Sequence, residues 1–292
     1  MNLANKLKIY GEVLEKDPMK KHTTYRIGGE VDYYIYPKNI TELGRIIEIL
    51  KEAKVPYYIT GRGSNLLWTD HPFPGAIINM DRSINDYYFE EDGTVIAYAG
   101  CSIINLAIEA GKHSFTGLEF ASGIPGSVGG GIYMNAGAYK SDLSNVLESV
   151  LVLEGEHIHW IRKEDLDFGY RHSIFQKHKD WTILAGKFKL EKGDAQEIRD
   201  LMESRHARRV DAQPLDKPCA GSVFRNPESI PAWKLVEQLG YRGKRIGGAQ
   251  VSKKQCNFIV TENGDATAED VWTLITSIQK DAKEKYDIDL IT

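Results

Sequence analysis

The sequence is poor in cysteine. Cys101, Cys219 and Cys256 are the only three in 292 residues. They lie far apart, none forms a CxxC pair, and an odd number does not make a disulfide framework. A disulfide-stapled scaffold is thereby excluded, and a reducing, cytoplasmic setting is expected. Positive charge is not in excess either. With 37 Lys and Arg against 41 Asp and Glu, the formal net charge of −4 argues against a general nucleic-acid binder, which usually carries a strong basic patch. No run approaches the ~18 apolar residues of a membrane span, so no membrane partner is expected. The N-terminal stretch MNLANKLKIYGEVLEKD has no apolar core bounded by a cleavage site, so no signal peptide is expected.

Several motifs are missing as well. There is no GxxxxGK[ST], so no P-loop. There is no GxGxxG between a strand and a helix with an acid ~20 residues on, which excludes a Rossmann site. None of the eight histidines lies in HExxH, and no metal site is expected. No GxSxG elbow is present, which argues against a hydrolase serine. The chain has no internal repeat and no low-complexity linker.

What is present is a local abundance of glycine. The total, 27 of 292, is only slightly high, but GIPGSVGGGIYMNAGAY (123–139) and GRGSN (61–65) concentrate it. Each glycine gives up side-chain packing and costs extra backbone entropy on ordering. Bare loops let backbone N–H groups approach an anion closely, and two such loops could grip the pyrophosphate of a dinucleotide. The competing reading is a pair of tight turns. The loop residues concerned are Gly61, Arg62, Gly63, Ser64, Asn65 and Leu66, then Gly123, Ile124, Pro125, Gly126, Ser127, Gly129 and Gly130.

Hydrophobic patterning predicts strands at 31–37, 55–60, 76–80 and 94–100, with helices over about 40–50 and 102–110. Strands follow near 146–153 and 181–190, then a long helix over 194–212 that stops before Pro214. Beyond it the pattern predicts a strand at SVF (222–224), a helix over 232–239, a strand at NFIV (257–260) and a helix over about 267–284. The expected boundaries fall near 82 and 210. Other constellations are individually weak. His157 and His159 share a strand face and read as a surface pair. Arg205, Arg208 and Arg209 read as a basic helix end or a phosphate contact. Arg171 sits beside Tyr170 in YRHS (170–173), and on its own reads as a surface or salt-bridge residue.

Taken in order, TTYRIGG (23–29), GRGSNLL (61–67), TGLEFASGIPGSVGGGIYMNAGAY (116–139), YRHS (170–173), QPL (213–215), AGSVFRNP (220–227), KLVEQLG (234–240) and RIGGAQVSKKQCNFIV (245–260) resemble the UDP-N-acetylenolpyruvoylglucosamine reductase family, in its compact class without an extra substrate loop. The resemblance implies an α+β fold: a two-lobed FAD-binding domain of the vanillyl-alcohol-oxidase type, with lobes at 1–82 and 83–209, and a C-terminal α/β substrate domain at 210–292. It implies an NADPH-dependent flavoenzyme of peptidoglycan precursor synthesis, with FAD and NADPH as cofactors and UDP-N-acetylglucosamine enolpyruvate as small-molecule substrate. GRGSN would hold the pyrophosphate. GIPGSVGG would run along the FAD, where a side chain at Gly126, Gly129 or Gly130 would collide with it. Asn135 and Ala136 would border the cofactor.

In the reaction so implied, NADPH passes a hydride to the flavin. The flavin then passes one to the methylene carbon of the enolpyruvyl ether. Charge building on the neighbouring carbon and carboxylate needs a fixed cation and a proton donor. The resemblance gives these roles to Arg171 and Ser222. It places Tyr170, Lys217, Arg225, Asn226 and Gln250 around the substrate. A family lysine just before Gln-Pro is replaced here by Ala212, which would move a diphosphate contact to Lys217. The family also carries a catalytic glutamate after a segment like KEKYDIDL, and the sequence ends at DLIT before that motif. The alternatives are another FAD-dependent oxidase of the same fold, or a catalytically impaired nucleotide-binding relative.

Overall fold

The computed structural model describes residues 2–262 and 264–292. Each major helix begins where the sequence supplies a cap. Ile40–Glu52 starts at Asn39, whose side chain accepts from the Glu42 amide, and buries Leu43, Ile46, Ile47 and Leu50. That spacing makes one apolar stripe, and a cap of this kind contributes about 1 kcal/mol. Ile103–Lys112 starts at Ser102. Ala268–Tyr286 opens with a reciprocal capping box between Thr267 and Asp270, which satisfies two end amides together.

The chain divides into two compact units. The first comprises Met1–Asp17, Val31–Arg62 and Pro74–Ala207; the second comprises Pro18–Glu30, Gly63–Phe73 and Arg208–Thr292. Most of a four-stranded sheet lies in the first, in the order Gly11–Pro18, Glu30–Pro37, Phe73–Asn79, Tyr57–Thr60. Its last two strands run parallel, with Thr60 opposite Asn79. A five-stranded antiparallel sheet follows in the order His157–Arg162, Leu147–Glu154, Thr182–Lys189, Thr94–Tyr98, Tyr87–Phe89. Its central strand Thr182–Lys189 is buried along nearly its whole length. That is why TILAGKFK reads as a near-continuous apolar run.

The second unit holds a three-stranded antiparallel sheet, Arg245–Ile246, Ala249–Val251 and Ile259–Thr261. Helices Ala232–Gln238 and Ala268–Tyr286 pack into the same core. Two early segments are tied into this unit. Thr261 Oγ1 donates to the Tyr25 carbonyl at 3.1 Å, and the Ala268 amide donates to Asp70 at 2.7 Å. Tyr25 and Ile27 lie in the core of this unit.

Two expected elements differ. No strand forms at SVF: Val223 and Phe224 instead pair with one residue, Asn257. The strand expected over NFIV begins two residues later, at Ile259, because Asn257 is occupied with that pairing. The glycine-rich stretch is also not all loop. Val128–Tyr133 is a short helix, with Ser127 as its cap.

Candidate active site

The loop GRGSN leaves the strand Tyr57–Thr60. Asn79, opposite Thr60, is 3% exposed and holds the loop's start. Its Nδ2 donates to the Gly61 carbonyl and to the Tyr34 hydroxyl, both at 2.9 Å, and its Oδ1 accepts from the Asp81 amide. Past Gly61, the amides of Arg62, Gly63, Ser64 and Asn65 donate to no protein acceptor among the described residues. Orphan N–H groups on a glycine turn are the donor set that a pyrophosphate accepts from. Gly63 has φ +64° and abuts the His22 carbonyl, so no side chain fits there whatever is bound.

The second glycine segment meets the first at one point: a Cβ on Gly61 would strike Ser127 Oγ. Here the amides are spent inside the protein. Ile124 donates to Ala121, Gly126 to Ile124, Val128 to Cys101 and Gly129 to Ala99. Gly130 donates to Ser127 Oγ and Gly131 to the Ser127 carbonyl. A Cβ on Gly129 would lie 2.9 Å from that of Ala99. Glycine at 129 is therefore required by the protein's own packing, whatever is bound beside it. Gly130 is different. It is exposed, and its Cβ would meet only Ser127 Oγ at 3.3 Å. The amide donors of the first loop thus fit the pyrophosphate of FAD, and Gly130 leaves its own segment a side-chain-free ledge.

The helix Val128–Tyr133 ends at Asn135, which is 2% exposed and left-handed at φ +41°. Asn135 Nδ2 donates to the Gly169 carbonyl at 3.0 Å, and its Oδ1 accepts from the Ser144 amide at 3.1 Å. This anchors the turn that carries YRHS. Gly169 and His172 close the turn with reciprocal backbone bonds of 3.1 and 3.2 Å. Arg171 is its second central residue, at φ +54°. Glycine or asparagine is usual there, and another residue costs about 1–2 kcal/mol. The guanidinium is held from behind: Nη2 donates to the Gly137 carbonyl at 2.6 Å and Nη1 to the Asn135 carbonyl at 3.3 Å. Three of its five N–H groups remain for a ligand. Tyr170 is exposed, its ring centroid 5.2 Å from Arg171 Cζ. Ala136 follows Asn135, and its amide is taken by the Gly131 carbonyl at 2.8 Å.

In the second unit Ser222 is exposed, and its hydroxyl has no protein partner among the described residues. It follows Gly221, at φ +78°. The next residues are pinned. Val223 N donates to the Asn257 carbonyl at 2.8 Å, and the Asn257 amide side chain bonds both the N–H and the carbonyl of Phe224, at 2.9 and 2.8 Å. Arg225 is half-buried, and its amide donates to the Ile291 carbonyl at 2.8 Å. Asn226 Oδ1 accepts from the Ala232 amide at 3.0 Å, which commits it to the start of the helix Ala232–Gln238.

Lys217 and Gln250 come together in a cavity of about 480 Å³, whose lining also includes Arg245, Lys253, Lys254 and Glu262; Arg225 and Asn226 are not part of that lining. Glu262 accepts from both Lys217 and Arg245, the latter at 3.2 Å. Lys217 first, then Arg245, hold its carboxyl below the usual range. Lys254 Nζ caps the Val210 carbonyl at 2.5 Å, and Gln250 Nε2 donates to that of Gly243 at 2.8 Å. Among the described residues no group of three or more His, Cys, Asp or Glu could hold a metal ion. No helix there is long and apolar enough to cross a membrane.

A family model for the C-terminal domain of UDP-N-acetylenolpyruvoylglucosamine reductase matches residues 213–292, and one for an FAD-binding domain matches 31–161. The chain is similar to the UDP-N-acetylenolpyruvoylglucosamine reductase of Bacillus licheniformis, at 43% identity over 97% of this chain and 93% of that protein. The Bacillus subtilis protein of the same name is 40% identical over the same shares. The chain belongs to the UDP-N-acetylenolpyruvoylglucosamine reductase family. The solved Thermus caldophilus member superposes with a TM-score of 0.82 at 30% identity, covering 96% of this chain and 98% of that one. A Physcomitrella patens BBE-like protein, 12% identical with a TM-score of 0.50 over 66% of this chain and 45% of its own, shares the fold alone.

As a member of this reductase family, the chain contains functional candidates that sequence reasoning passed over. Asn79 lies in no motif, and Arg245 and Asn257 lie in the segment RIGGAQVSKKQCNFIV without having been singled out. Asn79 was legible only as a polar residue at the end of the apolar run AIINM. Asn257 likewise interrupts an apolar run, in CNFIV.

Proposed function

We infer that Arg171 and Ser222 supply the cation and the proton donor for the reaction of this chain, the NADPH-dependent reduction of UDP-N-acetylglucosamine enolpyruvate to UDP-N-acetylmuramate in peptidoglycan precursor synthesis. Bound FAD supplies the hydride carrier between NADPH and the enolpyruvyl ether. The observation that carries the reading is Arg171: a left-handed, non-glycine residue whose guanidinium is braced on the Asn135 and Gly137 carbonyls. Backbone strain of this kind persists where the surroundings over-determine it, and such positions cluster at functional sites. A braced guanidinium with free N–H groups faces a carboxylate without reorganising, so it stabilises negative charge as that charge develops.

Ser222 offers the complementary group. Its hydroxyl is unspent, and the bonds from Asn257 to the two residues after it fix its backbone. The amides of Arg62, Gly63, Ser64 and Asn65 hold the pyrophosphate of FAD, and Gly130 leaves room beside the cofactor. Lys217 and Gln250, with Arg225 and Asn226, serve the UDP end; there a diphosphate competes with Glu262 for Lys217. The working compartment is the cytoplasm, where the three cysteines stay reduced.

The test uses flavin absorbance. NADPH should bleach the enzyme, and the enolpyruvyl substrate should restore the colour. Ser222→Ala should leave bleaching intact and slow recovery by about 100- to 10,000-fold, the usual contribution of a general acid. Recovery at the wild-type rate would remove Ser222 from the mechanism.

A further inference from the structure

Arg171 is braced through its guanidinium, but something must also hold its backbone in the left-handed region. The Arg171 carbonyl accepts from Gln176 Nε2 at 3.0 Å. The same nitrogen lies 3.3 Å from the Tyr133 carbonyl, at the end of the glycine-rich helix. Two carbonyls on one edge of the amide fix its nitrogen there. The oxygen then faces His172 Nδ1 at 3.4 Å, and the other ring nitrogen of His172 faces Asp167 at 3.2 Å. A second side chain reaches the Tyr133 carbonyl: Ser173 Oγ, fully buried, at 2.6 Å. Ser173 ties the two segments together but touches neither the Arg171 carbonyl nor its side chain. Gln176 is the one side chain among the described residues that bonds both the Arg171 carbonyl and the segment whose Asn135 and Gly137 carbonyls hold the guanidinium.

We propose that Gln176 is a positioning residue for the reductase reaction, clamping the Arg171 backbone to the helix end at Tyr133 so that the guanidinium is presented in one orientation. The proposal rests on the assignment of Arg171 above. A half-buried glutamine on a 3-10 turn would ordinarily be read as a solvated surface residue. Here both of its amide hydrogens are spent on carbonyls of the two segments that build the cation site. Without it the turn retains its own closing bonds, so the fold persists while the orientation of Arg171 loosens.

The experiment compares Gln176→Met, which keeps the length and removes the donors, with Gln176→Lys, which restores a donor. Both are made in the FAD-loaded enzyme and followed by rapid-mixing absorbance. Gln176→Met should keep its flavin content and its rate of bleaching by NADPH, and its melting temperature should fall by only a few degrees. Its recovery with the enolpyruvyl substrate should slow by about tenfold, the size expected for one or two lost hydrogen bonds. Gln176→Lys should regain part of that rate. In an Arg171→Ala background Gln176→Met should add nothing, since two residues acting through one group are not additive. Normal recovery in Gln176→Met, equal slowing of both half-reactions, or full additivity with Arg171→Ala would each overturn the proposal. Normal recovery in Arg171→Ala alone would show that the reading of Arg171 has failed, and the proposal with it.

Discussion

The two glycine segments look alike in sequence and do different physical work. In GRGSN the amides of residues 62–65 are left without protein acceptors among the described residues, while Gly63 is forced by its left-handed backbone and the His22 carbonyl. In GIPGSVGGG the amides of Ile124, Gly126 and residues 128–131 are consumed internally, and most of 128–133 is helix. The first segment can donate to an anion. The second cannot do so through those amides, and contributes a wall whose closeness to Ala99 requires glycine at 129. Glycine density alone therefore does not mark a phosphate loop; the fate of the amides does.

The sharpest way to break this contrast is Gly129→Val. Its Cβ would press on that of Ala99, a methyl with no rotamer to escape through. Overpacking of this kind should cost about 3 kcal/mol, read as a large fall in the melting temperature of flavin-free protein. A melt unchanged from wild type would mean that the segment is not packed as described.

Asn79→Ala comes next. It strands the Gly61 carbonyl and removes one donor from the buried Tyr34 hydroxyl, whose titration burial already pushes above the usual phenol range. The bonds lost with the buried amide should cost about 1–3 kcal/mol in urea unfolding, with weaker FAD binding because the loop's first carbonyl is released.

Gly130→Ala should separate packing from ligand contact. The position is exposed and helical, with a Cβ meeting only the Ser127 Oγ cap at 3.3 Å, so alanine should change the stability of the flavin-free protein by no more than about 1 kcal/mol. If the ledge borders FAD, affinity should fall by about tenfold in a fluorescence titration; unchanged affinity would remove the ledge from the cofactor site.

The smallest effect is pH-dependent. Burial pushes the Cys101 thiol from its ordinary 9.0 up to about 11, with Arg62 opposing. A folded value above the unfolded one favours the protonated form. The contribution is therefore complete below pH 9 and lost as pH rises from 9 to 11. Relative to Cys101→Ala, the wild type should lose below about 1 kcal/mol by pH 9.5; parallel melting curves for the two proteins would count against burial of this thiol beside the glycine segment.

Much of this was written in the chain itself. The helices over 40–50, 102–110 and 267–284 follow from apolar periodicity and from caps such as Asn39, Ser102 and Thr267, and the polar helix over 194–212 opens on the Asp194 side chain, because those signals are local and each is satisfied within a few residues. The motif set carrying Arg171 and Ser222 was equally legible. What tertiary structure alone decided depends on partners far apart in sequence. Asn257 turns an expected strand at Ser222–Phe224 into a segment clamped by one amide. Asn79 reaches Gly61, and Ala99 dictates glycine thirty residues later. Lys217 and Gln250 share a cavity although no spacing rule joins them. Hydrophobic patterning reports which face of an element is buried. Which carbonyl a buried amide finds, and how closely two backbones approach, is set only when the chain has closed on itself.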